Sequence, residues 1–290
     1  MTDSRARTGF PVYLRLAWRT YFPGPDSPAR LTPKRFIVMT ALLPALFLTQ
    51  GLHWLGFFFD AIFFRGHRTL DVKEPLFIVG VPRSGTTFLH RLIAMDADRF
   101  TTTQLWELIF APSITERFLW IGLGKVDHLV GRPLDRLVRA LERLSLGQLD
   151  AIHGTSLRDP EEDYLGLIPI AACFILTLPF PFRDELWALS RFDTEMPEED
   201  KRRVMRYYKR LVQRHLYVHG REKQYLSKNP SFTSLIGALD ETFPDCKIIG
   251  CVRTPYKVVP SLLSSMAAGA EIFDNDPQGT TYRDDLVAML

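Results

Sequence analysis

Along the chain, runs of apolar residues alternate with polar ones in two periods. Leu76–Val79 is a short apolar run that leads into Gly80-Val-Pro-Arg-Ser-Gly85. It predicts a buried strand, a tight loop and an amphipathic helix starting near Ser84. The last third repeats the theme. Gln224–Ser227 reads as a short strand, and Ser231 as the cap of a helix ending near Glu241. Phe243-Pro-Asp245 forms a turn, Lys247–Val252 a buried strand, and another helix follows Pro255. Phe100–Leu105 carries β-branched residues and reads as a second strand. Residues 112–149 have helical spacing, and Glu198–Val218 is a charged amphipathic helix with a basic face running from Lys201 to Arg214. Strands alternating with helices predict an α/β fold with a parallel sheet and ligands at the strands' carboxyl ends. Three loops then meet at one edge: Val81–Thr87, Lys228–Pro230 and Arg253–Ser261.

Two uncharged runs stand apart from this pattern. Phe36 to Phe59 holds no formally charged residue and is long enough to cross a bilayer. Pro44, Gln50, Gly51 and His53 interrupt it, and basic residues flank both sides, Lys34 and Arg35 before, Arg65, Arg68 and Lys73 after. That symmetry gives no crossing direction. The expectation is a broken or re-entrant pair of helices with both ends in the cytoplasm. A helical layer buried in the protein or in a homodimer is the alternative. Tyr164–Phe182, cut by Pro169, Pro179 and Pro181, reads as a buried helix, with a wall of an apolar pocket as the alternative. The chain divides into a basic arm with an apolar helical segment, residues 1–73, and an α/β domain, residues 74–290.

Bulk composition narrows the classes. A chain of 290 residues with 46% hydrophobic and 24% charged content is globular. A net charge of +3 gives no case for nucleic acid, so any anion site must come from local clustering. Three cysteines, Cys173, Cys246 and Cys251, form neither a disulfide framework nor a zinc spacing and fit a reducing compartment.

The loop after the first strand carries the clearest chemistry. Glycines, loop N–H groups and a helix N-terminus converge there on an anion. Gly80 and Gly85 have P-loop spacing, but Thr86 stands where that motif has its lysine. Thr87 keeps the hydroxyl, and Arg83 sits inside the loop. A phosphate is held, yet the equipment for a triphosphate with Mg²⁺ is incomplete.

Pro-Arg-Ser-Gly-Thr-Thr at 82–87, together with Phe-Pro-Asp-x-Lys-Ile-Ile-x-x-Val-Arg-x-Pro at 243–255 and Ser261, resembles the sulfotransferase family that uses 3′-phosphoadenosine-5′-phosphosulfate (PAPS). The bacterial and protein-tyrosine branch is the nearer likeness, over roughly residues 74–265. The resemblance implies a P-loop-like three-layer fold, a parallel sheet flanked by helices, with the N-terminal apolar helical segment added to it. It implies that Arg83, Ser84, Gly85, Thr86 and Thr87 bind the 5′-phosphosulfate, and Arg253 and Ser261 the 3′-phosphate. Lys228, in Lys-x-Pro after a strand, would neutralise the leaving oxygen. No metal is expected where Arg and Lys supply the positive charge.

An acceptor hydroxyl needs a general base. Glu107, after the second strand in Gln104-Leu-Trp-Glu107, is the candidate that the protein-tyrosine branch suggests. His153 and the acidic run Pro160-Glu-Glu-Asp163 are rivals for acceptor-side roles. His90 reads as a packing histidine. Two departures stand out. Thr254 replaces a common Asp, and the chain stops at Leu290 without the family's glycine-containing loop over the nucleotide. Either the domain is truncated or another part, such as a partner subunit, covers the nucleotide. The expected function is transfer of a sulfuryl group to a hydroxyl on a lipid, glycan or other hydrophobic acceptor, at the cytoplasmic face of a membrane. The alternatives are a P-loop kinase or NTPase, and an inactive membrane-associated nucleotide-binding protein.

Overall fold

The computed structural model describes residues 8–25, 27–145, 156–182, 186–275 and 283. Its centre is a parallel sheet in the order β2-β3-β1-β4. The strands are β1 (Leu76–Gly80), β2 (Phe100–Thr101), β3 (Gln224–Lys228) and β4 (Lys247–Cys251). Register is fixed by pairs such as Ile78 with Lys228 and Gly80 with Cys251. Phe77 and Val79 alternate onto one face, where Phe77 packs on Phe243 at 5.5 Å and on Tyr208 at 6.3 Å between ring centres. Burial of these rings on that face of β1 contributes apolar stabilisation to the α/β half.

The predicted second strand is shorter than its sequence suggests. Only Phe100 and Thr101 pair with β3. Gln104 then ends the extended backbone as the cap of helix α4 (Leu105–Phe110), its N–H donating to Glu107 Oε2 at 2.9 Å. The 112–149 region forms α5 (Ile114–Leu129) and α6 (Pro133–Ser145), broken where Gly131 and Arg132 take positive φ. The run Tyr164–Phe182 is buried but is not an α-helix. Its prolines leave successive 3-10 turns, Asp163–Ile170 and Phe174–Thr177. Ser231 likewise lies inside a 3-10 turn, Pro230–Leu235, and not at the cap of the helix that follows.

At the N-terminus, α1 (Phe10–Tyr21) and α2 (Pro33–Phe63) pack together. The expected broken pair of helices is instead one continuous helix that carries Pro44 within it. Pro44 is on the exposed side of the helix. The buried side of α2 holds Arg35, Gln50, His53 and Asp60. Arg35 donates to the Pro179 carbonyl at 3.0 Å, and His53 Nδ1 lies 2.7 Å from Glu116. Asp60 accepts from the Ile114 and Thr115 amides at 3.0 and 2.9 Å and so caps α5. Arg214, from the basic face of α7 (Glu198–His219), turns inward to Asp60 at 3.0 Å. Gly56 makes this approach feasible, since a β-carbon there would sit 2.3 Å from Ser113 Oγ.

Candidate functional site

Three strand ends converge as the alternating pattern predicts. β1 delivers Gly80 to a loop whose next helix, α3 (Thr86–Ile93), starts at Thr86. Gly80 has φ 140°, and a β-carbon on it would lie 2.0 Å from the Cys251 carbonyl oxygen at the end of β4. Only glycine lets β1 and β4 close at this corner. Arg83 (φ 69°) and Gly85 (φ 95°) are both left-handed, which turns the loop back over the helix start. The first amides of α3 have no carbonyl one turn earlier to receive them. Beside them the Ser84 hydroxyl is buried without a hydrogen-bond partner among the described residues. A loop rich in outward donors, with an orphaned buried hydroxyl, fits a phosphate or sulfate group.

The β4 loop completes the corner. Arg253 Nη1 donates to the Arg83 carbonyl at 3.0 Å, and Arg83 Nε donates to Ser261 Oγ at 3.0 Å. Ser261 lies on helix α9 (Pro255–Ile272), with α8 (Ile236–Thr242) preceding β4. The structure thus joins Arg83, Arg253 and Ser261, far apart in sequence, into one cluster. Thr233, which nothing in the sequence singles out, locks the same corner by donating to the Gly80 carbonyl at 3.0 Å and accepting from the Gly80 amide at 3.0 Å.

A cavity of about 740 Å³ opens against this loop. Gly80–Arg83, Gly85–Thr87 and Arg253 form its polar end. Leu167, Phe174, Phe192, Leu262 and Met266 form its apolar side. The pocket-wall alternative for the Tyr164–Phe182 run is the one this geometry matches, since Tyr164, Leu167, Ala172 and Phe174 all line the cavity.

Glu162 is the acidic residue on that wall. Its Oε1 accepts from Lys228 Nζ at 2.8 Å, and Glu161 lies 3.5 Å from the same nitrogen. Lys228 is nearly fully buried and stands behind Glu162, not on the cavity surface. Burial raises the Glu162 carboxyl above its ordinary value, and the Lys228 charge opposes that rise without cancelling it. Asp163, next in sequence, is the hub beneath. It accepts from Tyr208 at 2.5 Å, Tyr225 at 2.7 Å and Ser227 at 2.9 Å, and from the Asn229 amide. These bonds fix the β3 end and the acidic run against each other.

Glu107 is not part of this cavity. It is buried in the helix layer, with His219 Nε2 at 2.5 Å, Arg117 Nε at 3.5 Å and His215 Nδ1 at 3.8 Å. Although burial raises its carboxyl, Arg117, His215 and His219 together hold it far below the ordinary range, which makes it a poor base. The structure sets the expected base apart from the cavity: Glu107 caps α4 and neutralises Arg117. Glu107, His215 and His219 also bring ligand atoms within 4.8 Å of one another. Arg117 already sets a guanidinium against that group, 3.2 Å from His215 Nδ1. The cluster reads as an ion-pair network around a buried arginine. His90 is buried, 2.7 Å from Thr102 Oγ1, and its pKa is lowered to about 3 by burial, Lys228 and Arg91, so it stays neutral. His153 lies outside the described residues.

Comparison with known proteins agrees with this architecture. A sulfotransferase family model matches residues 75–165 and 175–290. The omega-hydroxy-beta-dihydromenaquinone-9 sulfotransferases Stf3 of Mycobacterium bovis and of Mycobacterium tuberculosis are each 31% identical over 223 residues, 75% of this chain and 52% of theirs. The chain thus spans about half the length of these curated relatives. Sulfotransferase STF9 from Mycobacterium avium superposes with a TM-score of 0.62 over 94% of this chain and 69% of its own, at 18% identity. STF1 from Mycobacterium tuberculosis gives 0.52 over 91% and 73%, also at 18% identity. These two establish likeness of fold, a parallel sheet flanked by helices in the P-loop manner. With the family model covering most of the α/β half and its anion loop, this chain belongs to the sulfotransferase family.

Proposed function

We propose that the chain transfers a sulfuryl group from PAPS to the hydroxyl of a hydrophobic acceptor. The observation that carries this reading is the position of Glu162, paired to Lys228 at 2.8 Å, on a cavity wall that joins a donor-rich anion loop to an apolar pocket. PAPS, when bound, supplies the sulfuryl group and leaves as 3′,5′-ADP. Arg83 and the 84–87 segment hold its 5′ end through amides and hydroxyls. Arg253 and Ser261 take the 3′-phosphate, the guanidinium giving a fork of charge-assisted bonds. Glu162 accepts the acceptor's hydroxyl proton as the new S–O bond forms and the S–O bond to phosphate breaks. Lys228 is a positioning residue that keeps Glu162 aimed at the cavity. Fixed positive charge from Arg83 offsets the charge that builds on the departing 5′-phosphate, so positioning and electrostatics carry the catalysis.

The apolar pocket selects the acceptor by burying a hydrocarbon portion while leaving one hydroxyl at Glu162. The relatives named for a hydroxylated menaquinone support a lipid-like acceptor of that kind. PAPS is a cytoplasmic metabolite, so the reaction belongs on the cytoplasmic side of a membrane holding such an acceptor.

Calorimetric titration with 3′,5′-ADP without Mg²⁺, with ATP and 5′-AMP as competitors, tests the donor half. Metal-free binding that requires the 3′-phosphate is expected. Binding of ATP only with Mg²⁺ would point to a nucleoside-triphosphate enzyme instead, and absence of any binding to an inactive homologue.

A further inference from the structure

One face of α2 is spent on the protein, and among the described residues the opposite face is open. Arg35, His53 and Asp60 tie the inner face to the body along the whole helix. A helix crossing a bilayer would have to break these bonds or draw their charged partners into hydrocarbon, which is prohibitive for an ion pair as buried as Asp60–Arg214.

The outer face repeats apolar residues at helical spacing, Leu48, Leu52, Leu55, Phe58 and Ile62, with side chains 43–66% exposed. Asp60, the one acidic residue of α2, is on the buried side. The apolar surface continues onto α1 through the exposed Phe10, whose ring lies 6.0 Å from Phe47, and onto α5 through Phe118, 5.4 Å from Phe64. A continuous apolar surface over three helices exceeds the isolated exposed residues normal for a soluble monomer.

Charge identifies the occupant. Lys34 is exposed at one end of α2, and Arg65 and Arg68 just past the other. Two copies packed stripe to stripe would set Lys34 of each against Lys34 or Arg65 of the other. An anionic lipid surface meets both ends with opposite charge and the middle with hydrocarbon. The Asp163–Ile170 turn then links seat and pocket: Trp54 of α2 donates to the Pro169 carbonyl at 3.3 Å, and Leu167 from the same turn lines the cavity.

We infer that α2 lies in the plane of an anionic membrane as a monotopic seat, with α1 and α5 beside it, and that the acceptor reaches the cavity from that membrane. The seat stands on α2 alone, and only the acceptor's route rests on the sulfuryl-transfer reading. The test is flotation of the purified full chain with vesicles of phosphatidylcholine, with and without phosphatidylglycerol. Strong binding to the anionic vesicles is expected, weakened by high salt. Leu52→Glu with Phe58→Glu should weaken it by about tenfold or more, because both side chains enter the interface. Arg65→Glu with Arg68→Glu should weaken only the anionic component, also by about tenfold. Retained 3′,5′-ADP binding shows that the variants fold. No binding to vesicles of either composition would overturn the seat. So would a dimer that Leu52→Glu with Phe58→Glu converts to monomer without any vesicle binding. Absence of 3′,5′-ADP binding by the unaltered chain, with flotation intact, would sink the sulfuryl-transfer reading and leave the seat standing.

Discussion

Lys228 Nζ donates to Glu162 Oε1 across 2.8 Å, so a lysine at the carboxyl end of β3 and the carboxylate of the cavity wall act as one unit. A base works in its ionised form, and burial raises the Glu162 pKa above 4.5. Activity should therefore fall as the pH drops through a value above 4.5, and be full on the alkaline side of it. Glu162→Gln should remove that acid limb and lower kcat by about 10²–10⁴-fold. Lys228→Met removes the opposing charge, so the acid limb should move to higher pH. A pH–rate profile of the three proteins checks this. A Glu162→Gln enzyme with near-normal kcat and an unmoved limb would send the search for the base elsewhere.

The Arg253–Arg83–Ser261 cluster predicts a ligand-specific effect. Arg253→Ala should weaken 3′,5′-ADP by about 10–100-fold, the worth of a charge-assisted bond, and leave 5′-AMP almost unchanged. Arg83→Ala should weaken both, because its loop faces the 5′ end. Equal losses for both nucleotides in Arg253→Ala would mean that this arginine holds the loop and not the 3′-phosphate.

Gly80 gives a backbone prediction. Its φ is 140°, and an alanine methyl there would stand 2.0 Å from the Cys251 carbonyl oxygen, so Gly80→Ala must displace either β1 or β4. A destabilisation of at least about 1–3 kcal/mol from backbone strain alone is expected, together with loss of nucleotide binding, since the loop starts here. Gly85, whose added β-carbon would meet nothing within 4 Å, should tolerate Ala better, limited by its φ of 95°. Denaturant unfolding of the two variants ranks them.

What the sequence made legible is local and periodic. The strand–loop–helix at 76–93, the two later strands and the α7 helix follow from apolar period and glycine placement, and the three-loop convergence follows from parallel topology. Arg83, Arg253 and Ser261 meet because their motifs flank adjacent strand ends. What stayed hidden depends on tertiary pairing. Glu107 and Glu162 are both glutamates near helical starts, and only the fold shows that Arg117, 0% exposed, claims the first and that the cavity opens on the second. The same holds for α2. Pro44 and the polar residues at 50 and 53 look like breaks until Pro44 is seen on the exposed side of one helix and His53 against Glu116 of α5.

The Arg117–Glu107 pair makes the last prediction one of stability. Both side chains are buried, 0% and 1% exposed, so removing one charge strands the other. Glu107→Gln should cost about 3–5 kcal/mol, the penalty for a buried arginine without its counter-charge. The sign with pH follows from linkage. The folded-state carboxyl of Glu107 lies below its unfolded value of 4.5, so its contribution is complete above pH 4.5 and is lost as the pH falls toward the folded value. Wild type should therefore lose stability faster than Glu107→Gln below pH 4.5, and the gap between the two should narrow on acidification. Urea midpoints measured from neutral pH downward check both the size and the direction. Since Glu107 touches neither loop nor cavity, the variant should keep its 3′,5′-ADP affinity wherever it remains folded. A gap that widens in acid, or a loss of nucleotide affinity in the folded variant, would return Glu107 to the site.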